Sequence, residues 1–323
     1  MLKKWLTAAA FAVQGICGAA LAADVYPAHA IKFVVPYPPG GITDLMARLL
    51  QAPLQVQLGV PVIIENKPGA GGNIGSDAVA KAAPDGYTIL LAASGPMAVN
   101  VTLYKSLPYD PLKDFAPIIQ ISALPMVLEV HPSVPAKDLK SFIALVKSKP
   151  DAYSFASAGN GTPQHLVGEL FNAVAGTKMQ HIPYKGAGPA LNDVIGGQVP
   201  VMFDILGSSL PFINTGRLRA IGVSTAERSP VLSQVPTLAE GGLANFDFFT
   251  WHGIVAPAGT PKAIIDKLNR SLNDIFAKPE FRKRWEDLGT PVIGGSPEKF
   301  GALIRSETVR LGKIVKQSGA VID

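Results

Sequence analysis

Apolar runs and helix-spaced apolar positions alternate along the first hundred residues of the chain. Residues 31–35 form a continuous apolar run, and residues 44–58 carry leucines at helical spacing. A strand over 60–65, a helix over 73–83 and a strand over 87–93 are predicted to follow. This βαβαβ order predicts a parallel sheet with helices on its faces.

The same alternation restarts after a proline-rich bridge at residues 107–111. The predicted strands are 118–130 (broken by Pro125), 153–156, 179–182, 201–205, 219–223 and 246–255. The predicted helices are 137–147, 163–175, 189–195, 261–276, 280–288 and 297–317.

The two α/β blocks predict a two-domain clamshell, because residues 246–255 lead the chain back toward the first block. Each domain is expected to be a mostly parallel sheet flanked by helices. Domain 1 is predicted to comprise residues 23–124 and 250–323, and domain 2 residues 125–249. The hinge is expected near 122–126 and 249–251.

Glycine-rich turns follow three of the predicted strands, at residues 38–41, 69–72 and 159–163. Glycine lets the backbone approach a ligand closely. Each turn precedes a helix, whose first N–H groups lack partners and lie at the positive end of the helix dipole. Several such ends make an anion site without arginine. Since ligands of open α/β sheets bind beyond the carboxyl ends of strands, we expect a ligand cleft between the domains.

The amino terminus has the pattern of a secretory signal peptide over residues 1–22. Lys3 and Lys4 precede an apolar run over 5–21, and Ala20-Leu21-Ala22 supplies a small-residue cleavage site. An uncleaved membrane anchor, a lipoprotein attached through Cys17 and cleavage after residues 28–30 are the alternatives. The mature chain is predicted to begin at Ala23, to be soluble and to lie in the periplasm.

The composition argues against a disulfide-stabilised protein and against a nucleic-acid-binding protein. Cys17 is the only cysteine and would leave with the signal, so an exported chain of this length must be stabilised by its core without a disulfide. Removing Lys3 and Lys4 lowers the net charge from +5 to +3. Charged residues make up 16% of the chain, against about 25% in an average protein. No basic run or basic–aromatic stripe indicates nucleic acid as a partner.

Few side chains indicate catalysis or a cofactor. Asp44 is either a catalytic carboxylate or a group that caps or braces the first helix. His165 and Glu169 share the i, i+4 spacing of one helix face, but no third metal ligand is apparent, so no metal is predicted. Residues 69–74 imitate a dinucleotide-binding loop, but Ile74 replaces its last glycine, so no cofactor is predicted.

A hydrolase motif is also incomplete. Residues 155–159 place Ser157 after a strand but lack the first glycine of the G-x-S-x-G elbow. The favoured function is therefore capture of a ligand without chemistry, and the chain is not expected to be an enzyme. The alternative is an exported hydrolase or isomerase acting on a small organic acid, which a nucleophile–base pair or a metal set would indicate.

Several motifs together resemble the Bug-type substrate-binding proteins of tripartite tricarboxylate transporters. They cover essentially the whole mature chain in the right order: residues 37–48 (YPPGGITDLMAR), 65–72 (ENKPGAGG), 107–111 (LPYDP), 159–166 (GNGTPQHL), 183–186 (PYKG) with Asp193, 196–199 (GGQV), 216–220 (GRLRA) and 256–261 (APAGTP). Tyr37, where phenylalanine is common, and residues 203–207 depart from the pattern.

The resemblance implies a periplasmic-binding-protein clamshell that closes on its ligand. It implies a small carboxylate ligand, held by loop backbone amides and bridging waters, and delivered to the permease subunits of a membrane transporter. The chain is predicted to be a monomer. The candidate ligand-binding residues are Tyr37, Pro39, Gly40, Gly41, Thr43, Asp44, Ser94, Ser157, Asn160, Gly161, Thr162, His165, Lys185, Ala187 and Asp204. Asp204 either selects an amine or hydroxyl of the ligand or caps the next turn.

Overall fold

The computed structural model describes residues 26–149 and 152–319. The predicted signal peptide, with Cys17 and the predicted mature terminus at Ala23, lies outside the described residues. The fold is α/β, as predicted. Among the described residues, no helix combines the length and apolar character needed to cross a membrane.

One nine-stranded sheet runs through the described residues. Its strands are β1 (Ile31–Val35), β2 (Val62–Asn66), β3 (Thr88–Ala93), β4 (Phe115–Val130), β5 (Ser154–Ser157), β6 (Gln180–Pro183), β7 (Val201–Ile205), β8 (Arg219–Val223) and β9 (Phe249–Pro257). The α-helices are α1 (Ile42–Leu58), α2 (Asn73–Ala80), α3 (Asn100–Leu103), α4 (Leu139–Ser148), α5 (Pro163–Ala175), α6 (Ala187–Ile195), α7 (Leu206–Asn214), α8 (Lys262–Phe276), α9 (Pro279–Glu286) and α10 (Pro297–Ser318).

The two βαβαβ blocks have the same topology. In the first, β1 pairs in parallel with both β2 and β3, giving the strand order 2-1-3. In the second, β5 pairs in parallel with both β6 and β7, giving the order 6-5-7. The strands β4, β8 and β9 are antiparallel to their partners and join the blocks, a feature that the alternation of elements did not predict.

The long strand β4 corrects the expectation of a break at Pro125. The strand is continuous, and it pairs with β9 over residues 115–125 and with β7 and β8 over residues 126–130. Pro125 lies where the partner changes, so its missing N–H falls at the end of a pairing rather than inside one. The predicted hinge segments lie side by side here, since Ser122 faces His252 and Pro125 faces Phe249. The domain boundaries stay a prediction.

Apolar burial explains where the elements form. The central strands are nearly continuous apolar runs, as expected when helices cover both faces of a sheet, and Phe33, Leu90 and Phe203 are fully buried. The helix α1 ends at Gly59, which adopts a left-handed conformation with φ of +75°. The helix α7 was missed from sequence because Pro211 lies inside it. Its packing against β4, β7 and β8 offsets that local cost.

Candidate functional site

Both βαβαβ blocks direct their carboxyl strand ends toward one cavity. In each block the first strand lies between the other two, which places a topological switch point on either side of the cavity. We call this space the inner cavity. Its lining residues are Tyr37, Pro38, Pro39, Gly41, Ile42, Thr43, Ala93, Ala158, Pro163, Gln164, Ala187, Gly188, Ile205, Thr250 and His252.

The lining of the inner cavity contains no Asp, Glu, Lys or Arg among the described residues. Its polar character comes instead from hydroxyls, one amide, one imidazole and the starts of helices. The N-cap residues of α1 and α6 are Gly41 and Gly186, so no side chain caps the free N–H groups at these helix starts. Such ends attract an anion through backbone donors and the helix dipole.

His252 is a neutral polar group in the wall of the cavity. Burial lowers its pKa to about 3, so the ring is uncharged at neutral pH. Its Nε2 lies 3.1 Å from Thr43 Oγ1, and its Nδ1 lies 3.0 Å from Ser122 Oγ. The lining residue Thr250 is fixed in a similar way, with its Oγ1 2.7 Å from Ser94 Oγ. Hydroxyl partners therefore hold both side chains in place.

The loop that follows β1, residues 36–41, is braced by a buried carboxylate. We call it the first-half loop. Asp44 accepts hydrogen bonds from Gly40 N–H at 3.0 Å, Arg48 Nε at 2.8 Å and Asn66 Nδ2 at 3.0 Å. Burial raises the pKa of Asp44, but the hydrogen bonds from Arg48, Gly40 and Asn66 outweigh burial and hold that pKa below its ordinary value. Asn66 also donates to Tyr37 O. The bracing role suggested for Asp44 matches these contacts.

The loop that follows β5, residues 158–162, is braced by neutral groups, and we call it the second-half loop. Ser157 Oγ accepts from Gly159 N–H at 3.0 Å and lies 2.6 Å from His181 Nε2. Gly161 N–H donates to His165 Nδ1 at 3.4 Å. Burial lowers the pKa of His165 to about 4 and, together with the neighbouring His165, that of His181 to about 3. Both rings are therefore neutral at pH 7.

The same two histidines, together with Glu169, form the one potential metal cluster among the described residues. His181 supplies the third group that was not apparent from sequence, and ligand atoms of His165, Glu169 and His181 all lie within 4.8 Å of one another. Two histidines and a carboxylate suit a zinc ion. The two rings are stacked, however, with centroids 4.1 Å apart and planes at 16°. The nitrogen lone pairs of stacked rings lie in two separate, nearly parallel planes, so they cannot point at the same ion. One ring would have to turn before both could bind one ion.

A second, wider space opens outward from the inner cavity. This outer pocket is lined by Tyr37, Pro38, Pro68, Gly69, Ala70, Gly71, Gly72, Tyr104, Ala158, Gly159, Asn160, Pro183, Tyr184, Lys185 and Gly186. Lys185 is exposed and is the only charged residue among the described residues of this lining. The glycine turn at 69–72 therefore lines the outer pocket rather than the inner cavity.

A carboxylate pair lies behind Gln164 at the inner end of the cavity. Gln164 Nε2 donates to Asp204 Oδ1 at 3.1 Å, and Ser209 Oγ lies between Asp204 and Glu129. Burial raises the pKa of Asp204 to about 6, despite hydrogen bonds from Gln164, Ile205 N–H and Ser209. Burial and the nearby Asp204 charge raise the pKa of Glu129 well above its ordinary value.

The predicted site residues fall into groups at different depths. Five of them line the inner cavity: Tyr37, Pro39, Gly41, Thr43 and Ala187. Asn160 and Lys185 line the outer pocket together with Tyr37. The others lie in or behind the loops without appearing in either lining: Gly40, Asp44, Ser94, Ser157, Gly161, Thr162, His165 and Asp204. Thr162 caps α5 by accepting from His165 N–H.

Other polar residues of the site were missed from sequence. Gln164 lies within the matched motif at 159–166, and Thr250 and His252 lie within the aromatic-rich segment predicted as a strand. Glu129 is fully buried and is the one carboxylate in the apolar run over 118–130. An ionisable residue inside such a run is a signal that could have identified it, because buried carboxylates are rare.

A family model described as the tripartite tricarboxylate transporter family receptor matches residues 46–320. The chain is similar to the protein BugT of Bordetella pertussis (strain Tohama I), with 40% identity over 311 residues, which is 96% of this chain and 95% of the relative. These findings confirm the resemblance drawn from the motifs.

Solved structures agree with this assignment. The periplasmic binding protein BugD superposes with a TM-score of 0.87 at 37% identity, over 92% of this chain and 99% of that one. MatC from Rhodopseudomonas palustris, with bound malate, superposes with a TM-score of 0.86 at 35% identity, over 90% of this chain and 100% of that one. The predicted periplasmic-binding-protein fold is thereby confirmed.

Proposed function

This chain belongs to the tripartite tricarboxylate transporter receptor family, and on that premise we propose that it captures a small organic carboxylate in the inner cavity. It then delivers the ligand to the permease subunits of a secondary transporter. The protein acts in the periplasm as a monomer, without metal or cofactor. Its signal peptide is cleaved after Ala22, and its ligand lies between the two domains predicted from sequence.

One observation carries the proposal: an uncharged cavity into which uncapped helix ends open from both blocks. The start of α1, at Gly41 and Ile42, and the start of α6, at Ala187 and Gly188, both line the cavity and can supply backbone donors to an anion. A carboxylate accepts such hydrogen bonds strongly, because charge-assisted bonds are roughly twice as strong as neutral ones. The malate bound to MatC supports the same ligand class for this chain.

A thermal-shift screen against small mono- and dicarboxylates tests the proposal. A ligand that binds only the folded protein raises its melting temperature. Calorimetry with the best acid and its amide should then show much weaker binding of the amide, since charge-assisted hydrogen bonds contribute about 1.5–3 kcal/mol each. Equal affinity for acid and amide would contradict anion capture.

The intact mass of the protein recovered from the periplasm tests whether the mature chain begins at Ala23. A mass that includes Cys17 with an attached lipid would contradict this start.

The alternative of an exported hydrolase or isomerase has one observation in its favour. Ser157 Oγ and His181 Nε2 lie 2.6 Å apart, as a nucleophile and its base do. The serine is fully buried, however, and its oxygen is bound to both the N–H and the carbonyl of Gly159. The lowered pKa of His181 also makes the ring a weak base at neutral pH.

Reaction with a fluorophosphonate probe separates the two functions. We expect no covalent labelling, and we expect Ser157→Ala to keep the affinity for the acid within a few-fold of the parent. Labelling that disappears in Ser157→Ala would support the hydrolase instead.

A further inference from the structure

The acid pair behind Gln164 has no role in attracting an anion, because a negative charge opposes one. Glu129, Asp204 and Ser209 are all fully buried. Ser209 Oγ lies 2.8 Å from Glu129 Oε1 and 3.3 Å from Asp204 Oδ2, so a single hydroxyl proton lies between two acidic side chains. Glu129 Oε2 accepts no hydrogen bond from the described residues. Such a costly arrangement next to a ligand cavity suggests a function.

The orientation of Gln164 connects the acid pair to the cavity. Its amide nitrogen is directed at Asp204 Oδ1, at 3.1 Å. The carbonyl Oε1 is therefore the group left for other partners, and within residues 26–149 and 152–319 no donor reaches it. Gln164 is only 4% exposed, yet it lines the inner cavity. By fixing the amide nitrogen, Asp204 leaves Gln164 Oε1 as a hydrogen-bond acceptor at the inner end of the cavity.

We infer that the inner end of the cavity selects a carboxylate ligand that also carries a hydrogen-bond donor, such as a hydroxyl or an ammonium group, and rejects a second carboxylate at that end. This inference rests on the proposed capture of a carboxylate. A second carboxylate there would face the Gln164 carbonyl with the Glu129–Asp204 pair behind it. No cationic side chain among the described lining residues would compensate its charge.

A dicarboxylate has one other position available. Its second group can extend into the outer pocket, where Lys185 is the only charged residue of the described lining. The malate-bound relative shows that members of this family can accept a dicarboxylate. The ligand can therefore bind in two orientations that depend on different residues. A hydrogen-bond donor at the inner end depends on Asp204, and a second carboxylate in the outer pocket depends on Lys185.

Calorimetry at pH 7.5 with acids of equal length tests the inference. The four-carbon probes are butanoate, 4-hydroxybutanoate, 4-aminobutanoate and succinate, and their three- and five-carbon counterparts allow for the depth of the cavity. In the best-binding length, we expect the hydroxy or amino acid to bind at least ten times more tightly than the dicarboxylate. A dicarboxylate that binds as tightly as every donor-bearing acid of its length, and that keeps this affinity in Lys185→Ala, would overturn the inference.

Three variants assign the preference to the proposed groups. Asp204→Asn keeps an acceptor for Gln164 but removes the charge, so the affinity ratio of donor-bearing acid to dicarboxylate should fall at least tenfold. Gln164→Leu should remove the preference for the hydroxy acid over the unsubstituted acid. Asp266→Asn removes a surface carboxylate that pairs with Lys262, and it should leave every ratio unchanged.

A purely structural role of Asp204 would lower all affinities together and leave the ratio unchanged, which would overturn the inference. Where Asp204→Asn does not fold, Gln164→Leu provides the test, because it removes the acceptor that Asp204 orients toward the cavity. If Lys185→Ala weakens a dicarboxylate but not a hydroxy acid, the outward orientation is supported. Absence of binding by every acid would contradict carboxylate capture itself, and the inference with it, whereas binding without the donor preference would contradict the inference alone.

Discussion

The first-half loop and the second-half loop occupy equivalent positions in two blocks of the same topology, yet different chemistry holds each in shape. The first-half loop is braced by an ionised carboxylate, Asp44, with Arg48 and Asn66 as partners. The second-half loop is braced by neutral rings, His165 and His181, and by the Ser157 hydroxyl. One strand order therefore supports two different ways of holding a loop beside the cavity.

The difference shows that the braces serve the loop backbone rather than the ligand. None of Asp44, Ser157, His165 and His181 lines the inner cavity. A brace therefore needs only to satisfy loop N–H and carbonyl groups that folding has buried. Because ionised and neutral braces respond differently to substitution and to pH, the comparison between the loops can be tested.

The largest effect is expected from a substitution in the second-half loop. Gly161 has φ of +78°, and a Cβ there would lie 2.6 Å from Asn100 Oδ1 and 2.8 Å from Tyr104 Cε2. Gly161→Val should therefore push the loop away from residues of the first block and weaken binding of the acid found by screening by more than about 30-fold, or about 2 kcal/mol. Calorimetry measures this change.

Gly216→Val is the matched control, because Gly216 has a similar φ of +73° but nothing within 4 Å of a Cβ. It should lower the melting temperature through backbone strain and leave the affinity unchanged. Equal losses of affinity in the two variants would remove the second-half loop from the site.

The brace of the first-half loop should contribute more to stability than the ion pair alone. Asp44→Ala leaves Gly40 N–H without its acceptor and Asn66 Nδ2 with Tyr37 O alone, and we expect a loss of about 2–3 kcal/mol in the free energy of unfolding. Arg48→Ala removes a half-exposed partner and should cost about 1 kcal/mol or less. Urea denaturation measures both. Equal costs would show that the ion pair, and not the loop, accounts for the role of Asp44.

As the pH is lowered, the groups that brace the second-half loop should reduce the stability of the protein before those that brace the first-half loop do. His165, His181 and His252 have pKa values of about 4, 3 and 3, below the ordinary 6.5, so they bind protons on unfolding. Asp204, Glu129 and Glu169 have raised pKa values and release protons on unfolding. The three histidines take up about three protons, and the carboxyl groups release more than two but fewer than three, because Glu169 is only partly buried. Stability should therefore fall by less than about 1.4 kcal/mol per pH unit as pH drops from about 6 to 5.

Denaturation curves at several pH values check this slope. His181→Asn should make this fall in stability smaller, while Asp204→Asn should make it larger. The brace at Asp44 does not contribute in this range, because its lowered pKa confines its loss to more acidic solution. A slope of the opposite sign would show that the carboxyl groups dominate.

The smallest signal is expected from relative motion of the two loops. Saturating ligand should give a smaller radius of gyration in small-angle scattering, as hinge closure does in periplasmic binding proteins. Ser122 and Phe249 lie in the adjoining parts of β4 and β9 where the hinge is predicted. An identical radius with and without a confirmed ligand would indicate a rigid, preformed pocket.

Local pattern was sufficient to predict most of the fold. The bounds of α5, β7 and β8 were predicted to the residue, because apolar spacing and the flanking Pro163 and glycines are properties of the segments themselves. The positions of the three glycine turns at helix starts were also predicted. Helix α7 and the unbroken β4 were not, because packing offsets the local effects of Pro211 and Pro125.

The sequence by itself determined the order of elements, the glycine turns and the scarcity of charge, each of which depends on neighbouring residues. Only the tertiary structure decided which distant side chains meet. Ser157 and His181 are 24 residues apart, Gln164 and Asp204 are 40 apart, and Thr43 and His252 are 209 apart. Periodicity specifies the face on which a side chain lies but not its partner across the sheet. The braces of the second-half loop and the acceptor at the inner end of the cavity were therefore visible only after folding.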